Sequence, residues 1–115
     1  MLEKKRKIGR SMFPKVFSHG NILQTRLFTL RSLLNKKKND APSRFSFVVS
    51  KKVARTAPAR NKLKRRGYAI IQKNISRARP GYTNIFFMKK SAPDVSFMEF
   101  EKEIISALKK KNIFL

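Results

Sequence analysis

The stretch from Ser50 to Arg66, SKKVARTAPARNKLKRR, carries eight Lys or Arg in seventeen residues and no carboxylate. A helix-start signal lies in its middle, because Thr56 suits the N-cap or N′ position and Pro58 fits the first helical turn. The positive charge is therefore expected on an ordered helix. Such a helix predicts a surface that binds phosphate groups.

The helix that begins at this signal has two different faces. At about 100° per residue, one arc can pack on a sheet and contains Ala59, Leu63, Gly67, Ile70, Ile71 and Asn74. The remaining positions are Asn61, Lys62, Lys64, Arg65, Arg66 and Tyr68. The five cations between positions 60 and 66 have no carboxylate four residues away, so they repel one another. We expect this face to contact nucleic acid, with Tyr68 available to stack on a base or ribose.

Hydrophobic patterning on both sides of this helix predicts a sheet. Residues 44–50 alternate between the two sides of a strand, and residues 82–88 are a mostly apolar run of strand length. Residues 21–34 are predicted as one strand, with a helix as the alternative. Residues 96–111 are predicted as a covering helix, with early Glu and late Lys matching its dipole.

A short helix is predicted before the first strand. Ser11 can cap it, Pro14 falls in its first turn, and Gly20 ends it. Phe13 and Phe17 stand four residues apart on one helical face, and this spacing alone favours core anchors. The element order, helix, strand, strand, helix, strand, helix, implies an α+β two-layer sandwich.

Length and charge set the class of protein. A chain of 115 residues has the size of a single domain, residues 1–115, with residues 1–10 expected to be a flexible basic arm. The net charge of +23 points to a polyanionic partner, most commonly nucleic acid. Without cysteine, and without an apolar run of about 18 residues, the composition suggests an intracellular protein with no membrane partner.

Catalytic motifs are missing from the sequence. It contains no P-loop, no paired catalytic carboxylates and no Ser/His/Asp set, and His19 is the only histidine. No catalytic or metal-binding residue is therefore predicted. Any chemistry in which this chain takes part should come largely from a partner.

Two separated motifs resemble one known family. Ser50-Lys-Lys-Val, followed by Arg60-Asn-Lys-Leu-Lys-Arg, resembles the Ser-Lys-Lys...Arg-Asn-Arg-x-Lys-Arg signature of the protein subunit of bacterial ribonuclease P. Phe13-Pro-Lys-Val-Phe-Ser-His-Gly20 is similar to the Phe-x-x-Val-Phe-x-x-Gly helix of that family. The two motifs lie in the family's order, and the resemblance covers nearly the whole chain.

The resemblance implies a mixed four-stranded sheet with about three helices and a left-handed βαβ crossover, against the general preference for right-handed connections. It also implies a cytoplasmic, non-catalytic subunit of a ribonucleoprotein endonuclease. Such a subunit binds the catalytic RNA and helps it to remove the 5′ leader from precursor tRNA. The RNA and the magnesium ions that it holds would perform the hydrolysis.

Some site residues follow from positions that match the family's motif. The match implies contacts with the RNA subunit from Lys51, Lys52, Arg55, Arg60, Asn61, Lys62, Lys64 and Arg65. The cationic face of the helix adds Arg66 and Tyr68 to the expected RNA-binding residues. A cleft for the single-stranded leader is expected from Phe13, Phe17, Arg31, Lys89 and Lys90, which makes the two phenylalanines partly exposed stacking platforms. The chain departs from the family pattern at Lys62, Ala54, Pro58, Tyr68 and Arg31.

Other classes of protein are weaker interpretations. A small ribosomal or RNA-chaperone protein would use the same basic helix without a processing role, but the paired Phe motif disfavours it. A self-sufficient nuclease would need more acids and histidines. A DNA-binding module is disfavoured because no helix-turn-helix spacing is present.

Overall fold

The computed structural model describes residues 6, 8, 12–35 and 40–115. Within these residues the elements are, in chain order, α1 (Phe13–His19), β1 (Asn21–Gln24), β2 (Phe28–Leu34), β3 (Arg44–Val48), α2 (Ala57–Lys73), β4 (Tyr82–Met88) and α3 (Phe97–Lys110). The α+β class is confirmed. Ser11, the predicted cap of α1, and most of the predicted flexible arm lie outside the described residues.

The four strands form one mixed sheet in the order β1-β2-β4-β3. β2 pairs antiparallel with β1 and β4, whereas β3 pairs parallel with β4, with Phe47 opposite Phe86. Parallel neighbours need a long crossover, and α2 supplies it. β1 and β3 are the two edge strands.

The prediction of a single strand over residues 21–34 is wrong, since this segment is a hairpin. Its turn is built by Thr25, whose Oγ1 accepts hydrogen bonds from the backbone N–H groups of Leu27 (3.2 Å) and Phe28 (3.1 Å). The Thr25 N–H donates to the Phe28 carbonyl oxygen at 2.9 Å. The turn contains no Gly, Pro or Asn, so the usual sequence signals of a hairpin are missing.

One face of the sheet forms the main core with α2 and α3. The Phe47 and Phe86 rings stack at 4.7 Å between centroids, and Phe28 meets Phe86 edge-on at 5.1 Å. Gly67 of α2 lies directly over Phe47, where an added Cβ would come within 2.6 Å of the ring. The absence of a side chain at position 67 therefore lets the crossover helix approach β3 closely.

The start of α2 agrees with the sequence prediction. Thr56 is the N-cap, and its side chain accepts a hydrogen bond from the Ala59 N–H at 3.3 Å. The buried residues of the helix are Leu63, Gly67, Ile70 and Ile71. Four positions of the predicted arc thus face the core, while Ala59 is exposed and Asn74 is half-buried.

The short helix α1 packs on the other face of the sheet, against β2 and β4. Its Val16 is fully buried. Gly20 ends the helix where an added Cβ would lie 2.4 Å from the Val16 carbonyl oxygen and 3.0 Å from that of Ser32. Glycine at this position allows α1 to turn directly into β1 close to β2. No helix among the described residues is long and apolar enough to cross a membrane.

Candidate RNA-binding surfaces

The first candidate surface, called here the basic surface, comprises the cations of the loop Ser50–Thr56 and of the first half of α2. The loop begins with a turn in which the Val53 and Ala54 N–H groups donate to the Ser50 carbonyl oxygen at 3.1 and 3.2 Å. Ala54 is buried, whereas Lys51, Lys52 and Arg55 are exposed. The buried Ala54 thus anchors the loop, while its three charged side chains remain exposed to solvent.

Arg60 connects this loop to the helix. Its Nη1 donates hydrogen bonds to the carbonyl oxygens of Ala54 (3.1 Å) and Arg55 (3.0 Å). Part of the guanidinium is therefore used within the chain, and the remaining N–H groups stay available. Sequence reasoning assigned Arg60 to RNA contact but missed this second role, in which it fixes the loop cations relative to α2.

The other cations of α2 point away from the core. Asn61, Lys62 and Arg65 are exposed, and Lys64 and Arg66 are half-buried. The carboxylates of α3 pair with cations elsewhere: Glu99 lies 2.8 Å from Arg26, and Glu101 lies 3.2 Å from Lys73. Among the described residues no ion pair involves positions 50–66, so the charge of the basic surface is not neutralised within that part of the chain.

Tyr68 lies differently from the sequence expectation. Helical projection placed it with the cations, but its ring packs edge-on against Phe47 at 5.1 Å, and its hydroxyl oxygen lies 3.4 Å from the Phe47 N–H. That N–H belongs to the edge strand β3, so the Tyr68 hydroxyl accepts a hydrogen bond from a donor that has no neighbouring strand to pair with. The ring is half-buried, and base stacking by Tyr68 stays a prediction.

The second candidate surface, called here the aromatic cleft, lies between α1 and the sheet. Phe17 is 57% exposed, so the interpretation of this residue as a core anchor is wrong; Phe13 is half-buried. The Phe17 ring meets Phe87 edge-on at 5.9 Å. Cζ of Arg31 lies 3.9 Å from the Phe17 ring centroid, and Nη1 of Arg31 donates to the Phe17 carbonyl oxygen at 3.0 Å.

Two residues of the cleft floor were missed by sequence reasoning. Phe87 and Val48 are register partners on the α1 side of the sheet, and both are half-buried. Both strands are mostly apolar in sequence, so hydrophobicity alone does not distinguish the positions that face away from the main core. The available signal was the period of two, since Phe86 is fully buried in the core and its neighbour must face the other way.

The two surfaces approach each other at the end of the sheet where β3 and β4 both end, since Phe87, which Phe17 contacts, pairs with Val48, two residues before the loop begins. Because β3 and β4 run parallel, the loops that follow them start side by side, which brings Lys51 and Lys52 to the same end of the sheet as Lys89 and Lys90. Lys90 is exposed, whereas the Lys89 ammonium donates to the Thr25 carbonyl oxygen at 2.7 Å. Lys89 thus also holds the hairpin turn in place.

A magnesium site does not fit these surfaces. The basic surface offers ammonium, guanidinium and amide groups, whereas Mg²⁺ prefers carboxylate and phosphate oxygens. Among the described residues, no group of three His, Cys, Asp or Glu side chains lies close enough to hold a metal ion.

The fold defines a class of small, basic α+β proteins in which a cation-rich helix connects two parallel strands of a mixed sheet. The family model described as Ribonuclease P matches residues 1–112, and the chain belongs to this family. The ribonuclease P protein component of Microcystis aeruginosa is 31% identical over 105 residues, covering 90% of this chain and 88% of the relative. That of Clostridioides difficile is 32% identical over 104 residues, with the same coverages of 90% and 88%.

Solved structures agree with this fold. The ribonuclease P protein of Staphylococcus aureus superposes with a TM-score of 0.84 at 22% identity, covering 98% of this chain and all of that one. The protein from Thermotoga maritima gives a TM-score of 0.79 at 26% identity, covering 90% and 96% of the two chains. The mixed four-stranded sheet implied by the sequence resemblance is thereby confirmed.

Proposed function

We propose that this chain is the RNA-binding protein subunit of a ribonuclease P ribonucleoprotein. In this role it binds the catalytic RNA through the basic surface and the single-stranded 5′ leader of precursor tRNA through the aromatic cleft. The observation that carries the proposal is that the two surfaces approach each other at the end of the sheet where β3 and β4 end. One bound protein can then hold the RNA subunit and the leader of its substrate together.

The chemistry of each surface supports its assigned partner. The cations of residues 50–66 suit the closely spaced phosphates of a folded RNA, and the arginines can donate two parallel hydrogen bonds to one phosphate. The exposed Phe17 ring suits a single strand, whose unstacked bases stack on aromatic side chains irrespective of sequence. Family membership supports tRNA processing as the reaction and the cytoplasm as its location.

The RNA is the catalyst in this proposal, and the protein has a binding role. The RNA phosphates would hold the magnesium ions, and these would supply the activated water and the stabilisation of the leaving oxygen. The protein raises the local concentration of leader beside the RNA and reduces repulsion between the two polyanions. Both effects lower the magnesium concentration that the reaction requires.

The decisive experiment is cleavage of a precursor tRNA at low magnesium by a bacterial ribonuclease P RNA. The reaction is run with the RNA alone, with the protein alone, and with both. We expect cleavage at the mature 5′ end only with both components. A protein that binds several ribonuclease P RNAs without promoting cleavage would overturn the proposal in favour of a ribosomal or RNA-chaperone role.

A further inference from the structure

A notch of about 240 Å³ opens beside the basic surface, between α2 and the helical turn Ala92–Asp94 that follows β4. One wall is a continuous stripe of α2, since its residues stand three or four positions apart. The other wall is Pro93. The notch is lined by Ala59, Lys62, Leu63, Arg66 and Pro93.

The lining combines an apolar centre with a cationic rim. Leu63, which is 4% exposed, supplies the apolar part of the lining together with the small side chain of Ala59 and the ring of Pro93. The side chains of Lys62 and Arg66 make no hydrogen bond or ion pair with any described residue. Their charges are therefore available at the mouth of the notch to an anionic ligand.

The size of the notch limits what it can hold. Pockets for drug-sized ligands occupy roughly 300–1,000 Å³, so a space of about 240 Å³ suits a fragment rather than a whole small molecule. An unstacked nucleobase is such a fragment. It presents flat apolar faces to the walls while the phosphates on either side remain outside, where cations can reach them.

We infer that this notch receives one unstacked base of the RNA bound by the basic surface, with Lys62 and Arg66 holding the flanking phosphates. The inference rests on the proposed function, because the RNA is the partner that the net charge of +23 favours. The base adds a contact that phosphate pairing does not supply, and it fixes the position of α2 along the RNA. Asp94, the acid next to Pro93 in sequence, does not line the notch.

The test uses chemical probing of a bacterial ribonuclease P RNA in complex with the full-length protein. Reagents that together modify all four bases are applied to complexes of the wild type, of Ala59→Leu and of Ala69→Leu. Leucine at position 59 fills the notch at little cost in helix propensity. Ala69 is also exposed on α2 but does not line the notch, so Ala69→Leu is the matched control.

We expect the wild type and Ala69→Leu to protect one unpaired base that Ala59→Leu leaves reactive, and Ala59→Leu to bind the RNA about tenfold more weakly. Pro93→Ala, which removes the opposite wall, should expose the same base and decides the question if Ala59→Leu does not fold. Identical base reactivity in all complexes would overturn the inference while leaving the proposed function intact. A wild-type protein without any footprint would instead contradict the proposed function.

Discussion

The guanidinium of Arg31 lies over the Phe17 ring with its central carbon 3.9 Å from the ring centroid, and its Nη1 donates to the Phe17 backbone carbonyl. One strand residue thus holds both the side chain and the main chain of the exposed aromatic of α1. Phe17 remains 57% exposed beside this contact. It explains how a seven-residue helix can present an ordered platform.

Arg31→Gln should weaken the attachment of α1 to the sheet. A cation–π contact at a partly exposed site contributes about 0.5–1 kcal/mol, so we expect a loss of that order in the free energy of unfolding. The measurement is urea denaturation. Lys15→Gln is the control, since Lys15 is an exposed cation of α1 itself. Equal destabilisation by both variants would attribute the effect to net charge and contradict the role given to Arg31.

Replacing both Phe13 and Phe17 by Ala should reduce leader recognition without weakening binding to the RNA subunit. Loss of base stacking should lower the preference for precursor over mature tRNA about tenfold. The measurement compares the Kd of the two tRNA forms for the assembled ribonucleoprotein. Phe97→Ala, which removes a 39% exposed phenylalanine from α3, is the control. A folded double variant that keeps the full preference would contradict the assignment of the aromatic cleft.

Arg65→Ala should weaken binding to the RNA subunit through loss of a phosphate contact. One contact contributes about fivefold at roughly 0.1 M salt, and its removal should reduce the slope of log K against log salt by about one unit. Lys109→Ala, which removes an exposed cation of α3, should leave both quantities unchanged. Unaltered affinity and slope in Arg65→Ala would place the RNA on another face of the protein.

Arg60→Ala should differ from Arg65→Ala because Arg60 also fixes the loop. We expect a larger loss of RNA affinity, together with faster amide hydrogen exchange in Ser50–Thr56 of the free protein. Arg60→Lys keeps the charge but not the paired hydrogen bonds, so it should show the faster exchange with a smaller loss of affinity. Unchanged exchange in both Arg60 variants would refute the loop-fixing role.

Gly67→Ala should destabilise the fold although it improves helix propensity. Overpacking costs about 1–3 kcal/mol, against about 1 kcal/mol gained in the helix, and the Phe47 ring cannot withdraw because it stacks on Phe86. We expect a net loss of about 1 kcal/mol in urea denaturation. The Ala69→Gly variant measures separately how much the Gly–Ala difference in helix propensity contributes to the free energy of unfolding. Stabilisation by Gly67→Ala would mean that α2 can move away from β3.

The sequence predicted those parts of the structure that depend on local pattern. The cap at Thr56 and the limits of β4 follow from side-chain chemistry and the apolar run, and the structure has both. Helical period predicted six positions for the buried stripe of α2, and the structure buries four of them. The hairpin turn was missed because it is stabilised by hydrogen bonds to the Thr25 hydroxyl. The usual sequence signals of a hairpin turn are glycine and asparagine, and this turn has neither. Sequence pattern contains no signal for a bond made by one particular side chain.

The site was predicted less completely, for a different reason. The cations of residues 50–66 are contiguous, so composition alone identifies them. The tether made by Arg60 spans only five or six residues, but a hydrogen bond from one particular side chain leaves no pattern in the sequence. The inward turn of Tyr68 and the outward turn of Phe87 depend on which strands become neighbours. That information lies in the pairing of β3 with β4, two segments joined only through α2.

The bonds from Arg60 to the loop carbonyls determine when the conformational entropy of the loop is lost. Fixing a backbone residue costs roughly 1–2 kcal/mol, and a loop that became ordered only on the RNA would subtract that cost from the affinity. Because Arg60 orders Ser50–Thr56 in the unbound protein, this loss belongs to folding. The three loop cations can then contribute to RNA affinity from a preorganised surface.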